Sequence, residues 1–311
     1  MKRTLFAALG LTLVTATATA APFAYVANEK SGTISIIDTA TDVLVGTINS
    51  GGKPRGQAVS LDGSTLYASE SNGLLVIDIA NRTVSSKIEL GDSPEGVGIS
   101  ADGKWVAVAV EMTNSAALID TTTGKPVYSV KTQGQNPEHA EFSPDGKWLY
   151  VSAEEADQVD IVDLAQRKQV ASVKVAKRPR GIGFLPDSSV AYVACEFDSK
   201  VFAIDVVKQT VIAEIKAGTF SNGVTVAPDG KRVYVSNGKD ATVSVIDTAT
   251  NTVIATIEVG KRPWNMAITP DGTKLYVANG RDGTVSVIDT IGNRKLKDIA
   301  VGEAPWGVVI R

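Results

Sequence analysis

Along residues 263 to 290, PWNMAITPDGTKLYVANGRDGTVSVIDT, apolar and polar positions alternate in short runs separated by turn-forming clusters. WNMAIT, KLYVAN and TVSVID, with TVIATIEV from the stretch before them, are rich in Val, Ile, Thr and Tyr and each read as a half-buried β-strand. PDG separates the first two runs: its Pro presets φ and its Gly supplies the positive φ that a tight turn needs. After the third run come Asp-Thr and a polar cluster such as ATNT. The pattern predicts a four-stranded antiparallel sheet.

Weaker copies of this stretch run back to the N-terminus. The Asp that ends VSVID recurs as Asp38, Asp78, Asp120, Asp163, Asp205, Asp247 and Asp289, at steps of 40, 42, 43, 42, 42 and 42 residues. The opening Pro keeps the same step as Pro54, Pro94, Pro137, Pro179, Pro263 and Pro305, with Ser221 in the remaining copy. A period near this length with four short strands per copy is the pattern of a β-propeller. The first copy lacks its innermost strand, and the last stretch, APWGVVIR, supplies one with nothing after it. Joining them predicts seven four-stranded antiparallel blades, one closed by pairing residues 306 to 311 with the N-terminal strands. Such closure removes an exposed edge strand.

Residues 1 to 20 read as a secretory signal: Lys2 and Arg3, an apolar run from Leu5 to about Val14, and Ala18-Thr19-Ala20 as a cleavage site. The apolar run is too short to span a bilayer. The expectation is therefore a monomeric periplasmic protein with the propeller over residues 21 to 311 and no membrane span after cleavage. With one Cys, no intramolecular disulfide can form. A net charge of −3 argues against general affinity for nucleic acid or anionic membrane.

Chemistry is expected on one face. The PDG and Asp-Thr turns are nearly uniform between copies, whereas the loops on the opposite face vary, as they do when a site is grafted on a fixed scaffold. The residue after each repeat Pro should ring the channel mouth: Arg55, Glu95, Glu138, Arg180, Asn222, Trp264 and Trp306. Loops between second and third strands add Glu111, Glu154 and Glu196. With Glu95, Glu138 and His139 these form an acidic sector, whose plainer reading is solvated loop charge partly neutralised by Arg55 and Arg180. His139, the single histidine, stands where Gly56, Gly96, Gly181 and Gly223 stand in other copies. It reads as a solvated channel-mouth residue, as a general base oriented by Glu138, or as a ligand to a divalent cation with Glu111 and Glu154. Cys195 takes the place of Asn28, Asn237 and Asn279 and reads as buried and inert.

The copies YVANGRDGTVSVIDT, YVSNGKDATVSVIDTATNTVIATIEVG and SPDGKWLYVS resemble the YVTN family of propeller repeats over essentially the whole mature chain. In length, signal and blade number the chain is also similar to exported propellers associated with pyrroloquinoline-quinone-dependent alcohol catabolism. That resemblance implies an accessory role, and no cofactor is assigned, because the adjacent-Cys and metal-site motifs of the quinoprotein dehydrogenases are missing. The leading expectation is a non-catalytic binder of a protein partner or small ligand. A lactonase- or lyase-like enzyme using His139 with nearby carboxylates is the alternative. A single-strand nucleic-acid binder using Trp264, Trp306 and adjacent basic residues is the third, opposed by the acidic sector.

Overall fold

The computed structural model describes residues 22–311, so the signal segment lies outside the described residues. Seven four-stranded antiparallel sheets form the propeller. Blades are numbered 1 to 7 in chain order, blade 1 being the one shared by the two ends. In blade 4 the strands run outward as Pro137–Phe142, Trp148–Ala153, Gln158–Asp163 and Lys168–Lys174. Blade 1 takes its inner strand from the far end of the chain: Pro305–Ile310 pairs antiparallel with Phe23–Asn28. Backbone bonds from Phe23 N to the Arg311 carbonyl (3.0 Å) and from Arg311 N to the Phe23 carbonyl (3.1 Å) finish the seam.

The second and third strands differ from the half-buried reading. KLYVAN and TVSVID are buried at nearly every position, because each blade is covered on both faces by its neighbours. The polar members of the alternation therefore pack between sheets. Asn279 donates its side-chain amide to Thr284 and Ser286 hydroxyls, and Asn28 and Asn237 do the same in their own blades. The core consists of seven apolar clusters between successive blades; the one holding Ala24, Val26 and Val308 from blade 1 and Tyr276, Ala278 and Val287 from blade 7 crosses the seam. Fully burying a side chain such as Val308 contributes about 2 kcal/mol. Only the fourth strands are largely exposed, as in Val43–Asn49, where Ile48 alone is buried.

The two recurring sequence markers have separate structural causes. Each marker Asp turns its carboxylate back onto the following turn: Asp38 accepts the Ala40 N–H at 2.8 Å, Asp247 the Thr250 N–H at 2.9 Å and Asp289 the Ile291 N–H at 3.0 Å. This is the side-chain mimicry of a backbone turn for which Asp is favoured there. On the opposite face, the residue before the repeat Pro, or before Ser221 in its place, takes a positive φ of 52° to 61° in six blades: Ser93, Asn136, Arg178, Phe220, Arg262 and Ala304. In all six its carbonyl accepts the first N–H of the loop between second and third strands, as Arg178 does from Glu196 at 2.9 Å. This bond fastens the two loops of the varied face together in each of those blades.

Candidate functional site

The channel mouth is assembled from those fastened loops. The seven residues that follow the repeat Pro or Ser, namely Arg55, Glu95, Glu138, Arg180, Asn222, Trp264 and Trp306, all line one cavity of 320 Å³ on the varied face. Glu111 joins them from its loop, together with four residues not singled out from the sequence: Glu29, Ser93, Arg178 and Asn265. Three of them still had a signal. Ser93 and Arg178 sit one place before the repeat Pro, and Glu29 occupies the loop position of Glu111, Glu154 and Glu196.

The loop glutamates are not solvated charges. Glu154 and Glu196 are buried, and they sit among arginines. Arg180 pairs with Glu138 (2.9 Å), with Glu154 and with Glu196 (3.5 Å). Arg178 reaches Glu154 (3.3 Å) and Glu196 (3.2 Å), and Arg262 reaches Glu196 at 2.6 Å. Across the mouth Arg55 pairs with Glu29 (2.9 Å) and Glu95. Five carboxyl groups thus pair with four guanidiniums. Among the described residues Glu111 has no arginine or lysine within ion-pair distance; its carboxylate accepts the Ser93 hydroxyl at 2.6 Å.

Burial of this network moves protons. Glu95, only 3% exposed, has its carboxyl raised to about 7, chiefly because burial disfavours the anion; Arg55 opposes that and Glu111 adds to it. Glu138 is also raised well above the usual range by burial, against the pull of Arg180 and with Glu95, Glu154 and Glu111 pushing the same way. The mouth therefore holds two carboxyls whose proton affinity is raised toward or above neutrality, beside guanidiniums that stay protonated and cationic. Glu111, Glu138 and Glu154 each offer an oxygen within 4.8 Å of the others, a spacing that suits a cation. Arg180 already supplies positive charge to two of the three.

His139 lies one level below the mouth, where Gly307 is a fifth glycine and Asn265 takes the remaining position. It lines a narrower space of 120 Å³ with Glu141 and Asn265, and its ring stacks on Trp306 at 5.8 Å and 17°. The residue is half-buried, with protein around most of it and one part open to the channel. Its pKa falls to about 3, first through burial and then through Arg180, with the Asn265 side chain opposing. The ring is neutral at ordinary pH, and its Nδ1 has no partner among the described residues. The structure thus brings His139 and Trp306 into contact on one side of the ring and sets Glu138 in the cavity above. Glu141 sits further down, where the other blades carry Ala58, Gly98, Gly183, Thr225, Ala267 and Val309, and its carboxyl is raised to about 8 by burial. Cys195 is fully buried and its thiol is pushed up to about 12 by burial, so it is unreactive.

The family model described as "Lactonase, 7-bladed beta-propeller" matches residues 42–300. The chain belongs to this lactonase family. No curated protein matches the sequence. Among solved structures it is similar to a candidate 6-phosphogluconolactonase from Bacteroides fragilis NCTC 9343, at 20% identity and TM-score 0.79, covering 95% of this chain and 99% of that one. A functionally unknown protein from Desulfotomaculum acetoxidans DSM 771 shares 18% identity at TM-score 0.81, covering 93% and 98% of the two chains. Hydrazine synthase from Kuenenia stuttgartiensis aligns at 20% identity and TM-score 0.75, covering 82% and 88%. At these identities the structural likenesses show the fold. The family match overturns the leading sequence expectation of a non-catalytic binder and favours the lactonase-like alternative. The sequence misled here because the chain carries none of the compact motifs that mark other hydrolases.

Proposed function

We propose that this lactonase-family protein hydrolyses a lactone in the channel-mouth cavity. The observation that carries the reading is the family match over residues 42–300. The buried carboxyls of Glu95 and Glu138 beside arginines supply chemistry suited to the reaction. A general base works best when its pKa lies near the working pH, and Glu95, at about 7, meets that condition. In this reading Glu95 takes a proton from water as the water oxygen bonds to the lactone carbonyl carbon. The oxyanion that forms is held by the donor of the cavity lining that has no partner among the described residues, the Asn222 amide. The ring C–O bond then breaks, and Glu138, which keeps its proton near neutrality, gives it to the departing alkoxide. The products are the hydroxy acid, a protonated Glu95 and an ionised Glu138; loss of the Glu95 proton to solvent and uptake of one by Glu138 restore both for the next turnover. His139 acts as a brace beneath Trp306, since its depressed pKa makes it a poor base.

The YVTN-type repeats, export through residues 1 to 20, and a place beside quinone-dependent alcohol oxidation belong to the same proposal. Two-electron oxidation of a cyclic hemiacetal yields a lactone, the kind of product this site would open. Acid release in a pH-stat, with simple and sugar lactones as substrates, tests the reaction. Glu95→Gln should lower kcat by about 10²-fold with circular dichroism unchanged. No acid release above the uncatalysed rate from any lactone would overturn the reading.

A further inference from the structure

We propose that the cavity recognises a neutral, polyhydroxylated ring, a sugar-derived lactone without a phosphate group. This rests on the lactonase reading and names its substrate class. Charge is the first argument. Each arginine lining the cavity is already paired: Arg55 with Glu29 and Glu95, Arg178 with Glu154 and Glu196, Arg180 with Glu154 and Glu196. A phosphate dianion would have to draw a guanidinium away from its carboxylates and would meet Glu111, which has no cationic partner among the described residues. Like charges brought together at a binding site cost several kcal/mol. The feature that would favour a phosphorylated ligand, an uncommitted arginine, is missing from the described cavity lining.

Hydroxyl groups, in contrast, find partners throughout. Glu29, Glu95 and Glu111 offer acceptor oxygens. Asn222 offers a donor: it is 3% exposed, lines the cavity, and its Nδ2 has no partner among the described residues. A buried amide left without an acceptor is costly, so a ligand oxygen placed there restores a missing hydrogen bond.

The third argument is the pair of indoles in adjacent blades. Trp306 has one face against the His139 ring, and Trp264 lies over Gly280, where a Cβ would come within 2.7 Å of its six-membered ring. Both rings are braced from outside the cavity and border it. An indole presents a broad apolar face with a polar edge, suited to the C–H face of a sugar ring whose hydroxyls point outward to carboxylates and amide. An aliphatic lactone would use the indoles and waste the polar lining.

The test uses the full chain and two readouts. Calorimetric titration with D-glucono-1,5-lactam, a neutral analogue that cannot be opened as a lactone, should show binding, and the 6-phosphorylated lactam should bind at least ~10-fold more weakly. Trp264→Ala should weaken lactam binding about fivefold, with partial recovery in Trp264→Phe, which keeps an aromatic face. Equal or tighter binding of the phosphorylated lactam, or no binding of either, overturns the proposal. Hydrolysis of glucono-1,5-lactone is measured alongside. Lactam binding without hydrolysis would sink the catalytic reading and leave the ligand class standing, whereas preferred hydrolysis of 6-phosphogluconolactone would keep the reaction and sink the ligand class.

Discussion

A tyrosine in the second strand recurs as Tyr25, Tyr67, Tyr150, Tyr192, Tyr234 and Tyr276, all with rings buried between blades. Their hydroxyls fare differently. Tyr192 donates to the Asn251 side chain at 2.7 Å, whereas the Tyr150 hydroxyl has no partner among the described residues and its ring meets Phe184 edge-on at 4.8 Å. Tyr192→Phe is therefore expected to cost about 1 kcal/mol, and Tyr150→Phe to be neutral or stabilising, as calorimetric melting would read. Glu141 gives a second contrast. Its carboxyl is raised from the usual 4.5 to about 8, so the folded protein prefers it protonated, and its contribution is fully present below 4.5 and lost as pH rises through 8. Glu141→Gln should raise the Tm at pH 9 and leave it nearly unchanged at pH 4. Such residues were only partly legible. His139 stood out in the sequence by its rarity, but its depth and its stacking on Trp306 depend on two blades that meet across the ring. Arg178 was hidden because a lone basic residue in a loop is normally solvated, and Arg262, noticed beside Trp264 only as a basic residue for nucleic acid, instead pairs with buried Glu196; both take a positive φ before proline.

The blades themselves were readable, since the spacing of Pro and Asp is imposed by turns that every sheet needs. Seven blades, four strands each and the shared blade 1 follow directly from that spacing. Strand burial was not readable. A polar residue in TVSVID signals a solvated face in an isolated sheet, but here it packs beside the polar side chains of its own blade under the next sheet. The seam carries the clearest element-level prediction. Deleting residues 304 to 311 removes the strand paired with Phe23–Asn28 and takes Val308 out of the cluster shared by blades 7 and 1. The loss should be several kcal/mol, because one apolar side chain contributes about 2 kcal/mol and a whole strand ladder goes with it. The shortened chain should melt far lower or collect in the insoluble fraction. An unchanged melting temperature would show that the ring does not depend on this strand.

For the molecule as a whole, the proposed hydrolysis in the arginine–carboxylate network would depend on pH in a defined sense. Glu95 must be ionised to act as base, so kcat/KM should climb as pH rises through about 7. Glu138 must stay protonated to act as acid, so the rate should fall again at higher pH, giving a bell in a pH series at fixed ionic strength. Glu95→Gln should abolish the rising limb. The seam also fixes where the two described ends emerge. Phe23 and Arg311 are joined by backbone bonds, and the Arg311 side chain reaches the Leu61 carbonyl in a turn on the face away from the cavity. A bead, a fusion partner or an affinity handle attached at the carboxyl end would thus leave the opening turned toward the medium. The same neighbourhood makes the chain a natural subject for circular permutation, with a short linker spanning the old ends and new ones cut in an outer turn.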